Sequence, residues 1–443
     1  MTRLFGTDGI RGKANVELLP LIAFALGRAA AHRLLQPGES LLVGQDTRRS
    51  GDMFVAAIVA GATSIGADVH RLGVCPTPAL AHATAGGPYR AGVMVSASHN
   101  PADDNGLKVL DAEGLKLDDA LEDELETLIV RADGIVGPAN AGLGRVADVD
   151  ALLEQYIEHR SELARRTRSE LSVMLDCAHG SGGVAAPQIL AASGARLEVR
   201  FNEPDGTNIN LDCGATAPAT LAALVASSDA QLGFALDGDG DRCVAIDESG
   251  GVVDGDQLIG VIALDRLRRG ALPNGICVVS VLSNGGLQAA IEAAGGRVAR
   301  TQVGDKYILE GMIVAGAGLG GEKSGHIIIR EHAMSGDGIV TAIEVLDILA
   351  RADRPLSELA AEVELYPQQQ RTVAARHKEQ WSADPTFADA VAQARSQLDG
   401  TGRVIVRPSG TEAALRIMVE GESEAQVAAL ADGLASLAAE RLN

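Results

Sequence analysis

Aromatic side chains make up 2% of this 443-residue chain, with one Trp, four Tyr and six Phe. The core must therefore be built from Ala, Val, Leu and Ile, and the stacking platforms that single-stranded nucleic acid requires are missing. Basic residues are also short, at 38 Lys and Arg against 59 Asp and Glu, for a net charge of −21. Such a chain repels phosphate backbones unless it concentrates cations locally. The densest basic run, RLRRG at 266–270, ends a helical pattern, so no nucleic-acid partner is expected. A phosphorylated substrate would need a cationic cleft or a metal to overcome this field. The five cysteines, Cys75, Cys177, Cys213, Cys243 and Cys277, are scattered and form no CxxC. That excludes a zinc or disulfide framework and fits a reducing cytosol, hence a cytoplasmic protein. No apolar run approaches the roughly 20 residues of a membrane span, so no membrane partner is expected. The opening MTRLFGTDGIRG has no apolar stretch after its first charges, so no secretory signal is expected there.

What is present is an ordinary globular composition, 46% hydrophobic and 22% charged, enough for a substantial core. Length alone suggests roughly three domains. Three segments resemble one another: from Leu41, LLVGQDTRRSGDMFVAAIVAGATSIGADVHRLG; from Leu171, LSVMLDCAHGSGGVAAPQILAASGARLEV; and from Gly275, GICVVSVLSNGGLQAAIEAAGGRVARTQVG. Each reads strand, polar loop, Ala-rich helix, glycine turn, strand. That is a βαβ unit, which implies a mostly parallel sheet covered by helices. The units start about 130 and about 100 residues apart, the usual size of one domain. After Tyr366-Pro367 the pattern changes. A polar stretch suits a linker or an exposed strand, a helix is expected around Phe387, and RVIVRPSGTEAALRIMVEG reads as two alternating strands about a loop before a last helix from Glu424. The expected architecture is three related α/β/α domains with mixed, mostly parallel sheets, at 1–150, 151–250 and 251–366, plus a smaller α+β domain at 367–443.

Four loops and the N-terminus carry candidate chemistry. GVMVSASHNPADDNG (92–106) breaks from a strand into a turn at Ser98. Alone it leaves open a nucleophile, a phosphate ligand or a turn residue. No G-x-S-x-G is present, and along an extended chain His99 would face the wrong way to act as its base. In FALDGDGDRCVAID (234–247), Asp237, Asp239 and Asp241 alternate. In an extended segment they would point the same way, and converging carboxylates repel unless a cation sits among them. Hard oxygen ligands suit Mg²⁺, with Mn²⁺ and Ca²⁺ as alternatives, and a solvated acidic turn is the plain reading. An EF-hand is excluded, because Arg242 stands where that loop requires glycine. Arg242 could balance the charge. RPSGTE (407–412) offers the guanidinium of Arg407 and a cradle of Ser409, Gly410 and Thr411 for a phosphate, or a plain hairpin turn. In GGEKSGH (320–326), Glu322, Ser324 and His326 alternate, a set suited to sugar hydroxyls if all face one cleft; His326 could instead be a core residue. FGTDGIRG (5–12) places Arg11 where it could reach a phosphoryl group, and a hairpin would bring Lys108 near Ser98. A serine that carries a phosphoryl group needs such company.

FGTDGIRG, SASHNP, DGDGDR, GEKSGH and RPSGTE, in this order over essentially the whole chain, resemble the α-D-phosphohexomutase superfamily, most closely its phosphoglucosamine mutase branch. The resemblance implies four domains around a central cleft and an isomerase acting on sugar phosphates. It implies a phosphoserine at Ser98, and one Mg²⁺ held by Asp237, Asp239, Asp241 and an oxygen on Ser98. Arg11, His99 and Lys108 would line the phosphoserine. Glu322 and Ser324 would bind sugar hydroxyls with His326 near the reacting end, and Arg407, Ser409, Gly410 and Thr411 would hold the other phosphate. Lys108 and His326 are the acid/base candidates, Lys108 with a lowered pKa. A sugar 1,6-bisphosphate would prime the serine, and the product would supply UDP-N-acetylglucosamine and cell-wall precursors. A homodimer is left open. A phosphoglucomutase or phosphomannomutase with the same machinery is the near alternative; a Mg²⁺-dependent phosphatase or a sugar-phosphate sensor is more distant. Lys323 stands where the branch often has glutamine, Ala413 where proline is frequent, and CGATAPA near Cys213 lacks a common histidine.

Overall fold

The computed structural model describes residues 3–6, 8–36, 38–398, 400, 402–409 and 413–443. β-Branched runs next to Ala-rich segments fold locally as the periodicity requires. Strand Ser40–Gln45, helix Gly51–Thr63 and strand Asp68–Val74 form the first unit. Ser172–Asp176, Ala186–Ala191 and Arg196–Arg200 form the second, and Ile276–Ser280, Gly285–Ala293 and Arg297–Thr301 the third. In each, the two strands pair in parallel.

Each unit sits in its own sheet, of six, five and four strands. The three sheets share one further feature. A third strand, paired in parallel with the first strand of the unit, is followed at once by an antiparallel partner: Tyr89–Val95 by Asp104–Leu110, Leu232–Leu236 by Cys243–Ile246, and Leu319–Gly321 by Ile327–Ile329. The loops inside these three hairpins are the Ser98 loop, the aspartate loop and the GEKSGH loop. Homologous topology thus delivers three different chemistries to equivalent positions. The fourth sheet is antiparallel, with Ala414–Glu420 between Gln368–Ala374 and Arg403–Pro408, and is covered by helices Pro385–Gln397 and Glu424–Arg441. The first half of the polar stretch after Tyr366-Pro367, Gln368–Ala374, is therefore a strand.

Aliphatic burial holds the layers together. One apolar cluster runs through the first three domains, including Leu42, Met94, Leu175, Phe234, Leu258 and Leu346. A second, with Phe54, Ile58, Val93 and Leu107, fills the first domain. Each such side chain contributes roughly 1.5–3 kcal/mol. Small residues let helices Pro20–Leu34 and Gly51–Thr63 approach closely: a Cβ on Gly61 would lie 2.1 Å from the Phe24 carbonyl oxygen. The fourth domain has a separate core around Phe387, Val391, Leu415 and Leu434. Its junction with the third domain is polar. Buried Glu420 accepts from Gln368 Nε2 (2.6 Å), Arg403 Nε (2.7 Å) and the Gly285 amide (3.1 Å). Among the described residues no helix is long and apolar enough to cross a membrane.

Candidate active site

Ser98 is fully buried and adopts a left-handed φ of 52°. For a residue with a Cβ this costs on the order of 1–2 kcal/mol, so the surroundings must enforce it. They do so through the backbone. The Ser96 hydroxyl accepts from the Ser98 amide (2.8 Å), while Arg48 and Asn210 donate to the Ser98 carbonyl (3.0 and 2.9 Å) and to the Asn100 carbonyl (2.7 and 3.0 Å). Arg48 is itself fixed by buried Asp46 at 2.9 Å. The result is an aimed hydroxyl: Ser98 Oγ donates to Asp237 Oδ2 at 2.6 Å. His99 Nδ1 lies 3.3 Å from Ser98 Oγ, because the left-handed turn folds the neighbouring side chain back. The expectation that His99 faces away, drawn for an extended chain, is corrected by this turn. Burial, with Arg242 and Arg11 nearby, pushes its pKa down to about 4, which leaves a neutral ring.

The three aspartates converge, though by a different route from the extended alternation expected. They lie on the tight turn between Leu232–Leu236 and Cys243–Ile246, with Gly240 at φ 71°. Each offers an oxygen within 4.8 Å of the others. Gly238 permits the approach of the two loops; a Cβ there would meet the Ser98 carbonyl oxygen at 2.6 Å. The donor set fits a hard divalent cation. Asp239 Oδ1 and Asp241 Oδ1 are buried without a hydrogen-bond partner, and the oxygens are all carboxylate. Burial and the two neighbouring carboxylates hold Asp237 well above the usual carboxylate range. Burial also opposes ionising Asp241, but Lys108 and His326 outweigh it and hold Asp241 well below that range. Glu331, His332 and Glu344 also gather within 4.8 Å. There Arg266 already supplies the cation, 2.5 Å from Glu331 and 3.1 Å from Glu344.

Lys108 is 1% exposed and its Nζ donates to Asp239 Oδ2 at 2.7 Å, with Asp241 at 3.8 Å. The expected lowering of its pKa is corrected: burial pushes it down, but Asp239 and Asp241 more than offset this and the net shift is upward. Arg11 contacts Asp8 and reaches Asn100 Oδ1 at 3.4 Å, so it flanks the serine loop. The Arg242 amide donates to Asp237 Oδ1 (3.1 Å), and its guanidinium stands 3.8 Å from Asp241.

From the third domain, His326 is buried beside Asp241 (3.6 Å) and accepts from the Gly336 amide at 3.1 Å. A Cβ on Gly336 would strike its ring at 2.4 Å. Glu322, Ser324 and His326 do not alternate along a strand; they sit on the turn of a hairpin. Glu322 Oε1 accepts from the Gly304 amide (3.1 Å), and Ser324 Oγ is buried without a partner. From the fourth domain, Arg407 lies opposite Arg416 on the adjacent strand. Burial, and then Arg416, lower its pKa, whereas Glu322 raises it; two facing guanidiniums favour an anion between them. Ser409 is buried at the end of the same strand. Gly410 and Thr411 lie outside the described residues.

The geometry brings Ser98, His99, Lys108, Arg11, the three aspartates, Arg242 and His326 into one cluster. Sequence reading missed the groups that position them: Asp46, Arg48, Ser96, Thr77 and Asn210. Thr77, for example, donates to Asp239 Oδ2 at 2.6 Å across 162 positions. Only QDTRR at 45–49, a charged run directly after a strand, carried a readable signal.

Comparison with known proteins agrees along the whole chain. Family models for phosphoglucomutase/phosphomannomutase match as α/β/α domain I (residues 2–134), α/β/α domain II (154–251), α/β/α domain III (254–366) and the C-terminal domain (370–437). A phosphoglucosamine mutase of Moorella thermoacetica is 48% identical over 441 residues, covering 99% of each chain. Among solved structures, a phosphoglucomutase/phosphomannomutase family protein from Burkholderia thailandensis superposes with a TM-score of 0.82 at 25% identity, covering 100% of this chain and 99% of that one. An Aspergillus fumigatus N-acetylphosphoglucosamine mutase, solved in complex with GlcNAc-6P and magnesium, shares the fold at 20% identity, with a TM-score of 0.70 and coverage of 99% and 95%. With four domain models in order and close relatives end to end, the chain belongs to the phosphoglucomutase/phosphomannomutase family of isomerases, on its phosphoglucosamine mutase branch.

Proposed function

We propose that the chain interconverts glucosamine 6-phosphate and glucosamine 1-phosphate through phosphorylated Ser98 and a sugar 1,6-bisphosphate intermediate. The observation that carries this reading is the buried Ser98 hydroxyl, aimed at Asp237 across 2.6 Å, with Lys108 and two further aspartates around it. A water-activating base, which a hydrolase would require, is not what this constellation resembles. The whole-chain similarity to phosphoglucosamine mutases supports the amino sugar.

In the forward direction the sugar O1 attacks the phosphorus on Ser98. The bond from phosphorus to Ser98 Oγ breaks, the proton of O1 leaves to a base, and Ser98 Oγ takes a proton. The bisphosphate then turns in the cleft; Ser98 Oγ gives up its proton and bonds the 6-phosphorus as the bond from phosphorus to O6 breaks, O6 takes a proton, and glucosamine 1-phosphate departs. Lys108, kept cationic by Asp239 and Asp241, suits neutralisation of the transferring group and proton return. His326 is the second proton-transfer candidate, and neutral His99 can donate to the serine oxygen. Arg11 and Arg242 flank the phosphoryl group. Mg²⁺, held by Asp237, Asp239, Asp241 and the Ser98 oxygen, would withdraw charge from the phosphoryl oxygens when bound. Glu322 and Ser324 would accept and donate to sugar hydroxyls. Arg407, Ser409, Gly410 and Thr411 would hold whichever phosphate is not reacting. Domain boundaries are proposed near 150, 250 and 366; the strand Val146–Asp148 joins the first sheet, and Gln368–Ala374 opens the fourth. A cytoplasmic location suits five buried, unpaired cysteines, and sedimentation would test a homodimer.

An added mass of about 80 Da on the Ser98 peptide of the purified protein is the expected signature of the carrier. Rates on glucosamine, glucose and mannose phosphates, with a sugar 1,6-bisphosphate as primer, would rank the substrates. Stoichiometric release of inorganic phosphate would convert the reading to a phosphatase.

A further inference from the structure

Between the first and third domains lies a cavity of about 210 Å³ with Leu117, Leu309 and Ile328 on its apolar walls. Its polar end holds Lys116, which the motifs do not include. Lys116 Nζ contacts Asp8 and stands 2.6 Å from Asp305 Oδ2. Asp8 comes from the N-terminal loop, and Asp305 begins the helix Asp305–Ala315 of the third domain. Each carboxylate touches groups of the transfer site. Asp8 contacts Arg11 and lies 3.7 Å from Lys108. Asp305 lies 3.8 Å from His326, which in turn faces Asp241 at 3.6 Å. Cations and anions alternate along Arg11, Asp8, Lys116 and Asp305, and the last carboxylate faces the His326 ring.

We infer that Lys116 is a positioning residue of the phosphoryl-transfer site, joining Asp8 of the first domain to Asp305 of the third and so fixing Arg11, Lys108 and His326 relative to one another. This rests on the mutase reading above. Two half-buried carboxylates that converge on one side-chain position repel each other once the cation between them is gone. Nothing apolar in that cavity can replace it. Asp8 would then move with Arg11, and Asp305 would release its hold on the His326 side. The groups that would grip the distal phosphate, Arg407 on the strand Arg403–Pro408 and Ser409 just beyond it, belong to the fourth domain, whereas the carboxylates Lys116 joins belong to the first and third. Lys116 therefore acts on the chemical step and leaves substrate affinity alone.

The test uses the full-length protein with glucosamine 6-phosphate, a sugar 1,6-bisphosphate primer and saturating Mg²⁺. Lys116→Met should lower kcat by about 10- to 100-fold, the scale of misplaced catalytic groups, with KM held within about twofold. Lys116→Arg, which can still span both carboxylates, should recover most of the loss. Asp305→Asn added to Lys116→Met should cost little more than the worse single change, since both break the same link. If Lys116→Met does not fold, Lys116→Gln carries the same readouts. A kcat for Lys116→Met within about twofold of the unaltered protein, a rise in KM at constant kcat, or full additivity with Asp305→Asn would overturn the inference. An unaltered protein inactive on every hexose and hexosamine phosphate would overturn the mutase reading instead.

Discussion

Ser98 Oγ donates to Asp237 Oδ2 at 2.6 Å, joining a loop of the first domain to a loop of the second. A phosphoryl group on that oxygen would bring about −1.5 to −2 of charge against a carboxylate that burial and two other aspartates already disfavour ionising. On the proposed mechanism, that bond marks the place where a dianion, three carboxylates and a divalent cation would have to balance.

Replacing Ser98 by alanine should lower turnover by on the order of 10⁴-fold or more, as loss of a covalent carrier does, while substrate still binds. Steady-state rates, with isothermal titration of glucosamine 6-phosphate, measure both. Substantial turnover by that variant would remove Ser98 from the mechanism.

Chelation should destabilise the phosphorylated protein more than the unphosphorylated one. Without the cation the phosphate faces Asp237, Asp239 and Asp241 unscreened in a buried site, whereas a neutral hydroxyl does not. Thermal melting of both forms, with Mg²⁺ and with EDTA, would show it. Equal shifts in the two forms would place the cation elsewhere.

Gly238→Ala should damage catalysis out of proportion to its size. The new Cβ would lie 2.6 Å from the Ser98 carbonyl oxygen, so one loop must retreat. A displacement of about 1 Å at a reacting group costs on the order of 100-fold in rate. Wild-type kcat in this variant would show that the loops have slack.

Gly61→Ala tests the packing of helices Pro20–Leu34 and Gly51–Thr63. Helix propensity alone would favour alanine by about 1 kcal/mol. The Cβ would sit 2.1 Å from the Phe24 carbonyl oxygen, a backbone atom that cannot rotate away. Overpacking of this kind costs about 1–3 kcal/mol and should win, so urea denaturation should show a net loss of stability. A stabilised variant would refute the close approach.

His82 predicts one pH dependence. Burial, with Arg160 and His159 beside it, pushes its pKa from the usual 6.5 down to about 4. The unfolded chain therefore takes up this proton first, and His82 contributes stability above pH 6.5 that is lost as the pH falls toward 4. Denaturation at pH 7 and pH 5 should show a smaller drop for His82→Gln than for the unaltered protein. Equal drops would mean that the ring titrates normally.

Much of the fold was legible because its signals are local. Strand and helix periodicities reveal the three βαβ units at 41, 171 and 275, and Asn-Pro and Asn-Gly dipeptides follow Ser98. The site was half legible. Ser98 stands out because a β-branched strand breaks into a polar turn there, and the aspartate trio because clustered like charges call for a cation. The left-handed turn at Ser98 was not legible, since what enforces it comes from Arg48 and Asn210, distant in sequence. The Lys108 shift was misjudged for the same reason: its sign depends on Asp239, 131 positions away.

The sequence by itself determined which chemistries are available, because residue types and their spacing fix what a loop can carry and which periodicity a segment can adopt. Only the tertiary structure decided which of those groups meet. Ionisation, aim and partner depend on distances of a few ångströms across chain separations of a hundred residues or more, and electrostatic coupling in a buried cluster follows separation in space rather than order along the chain.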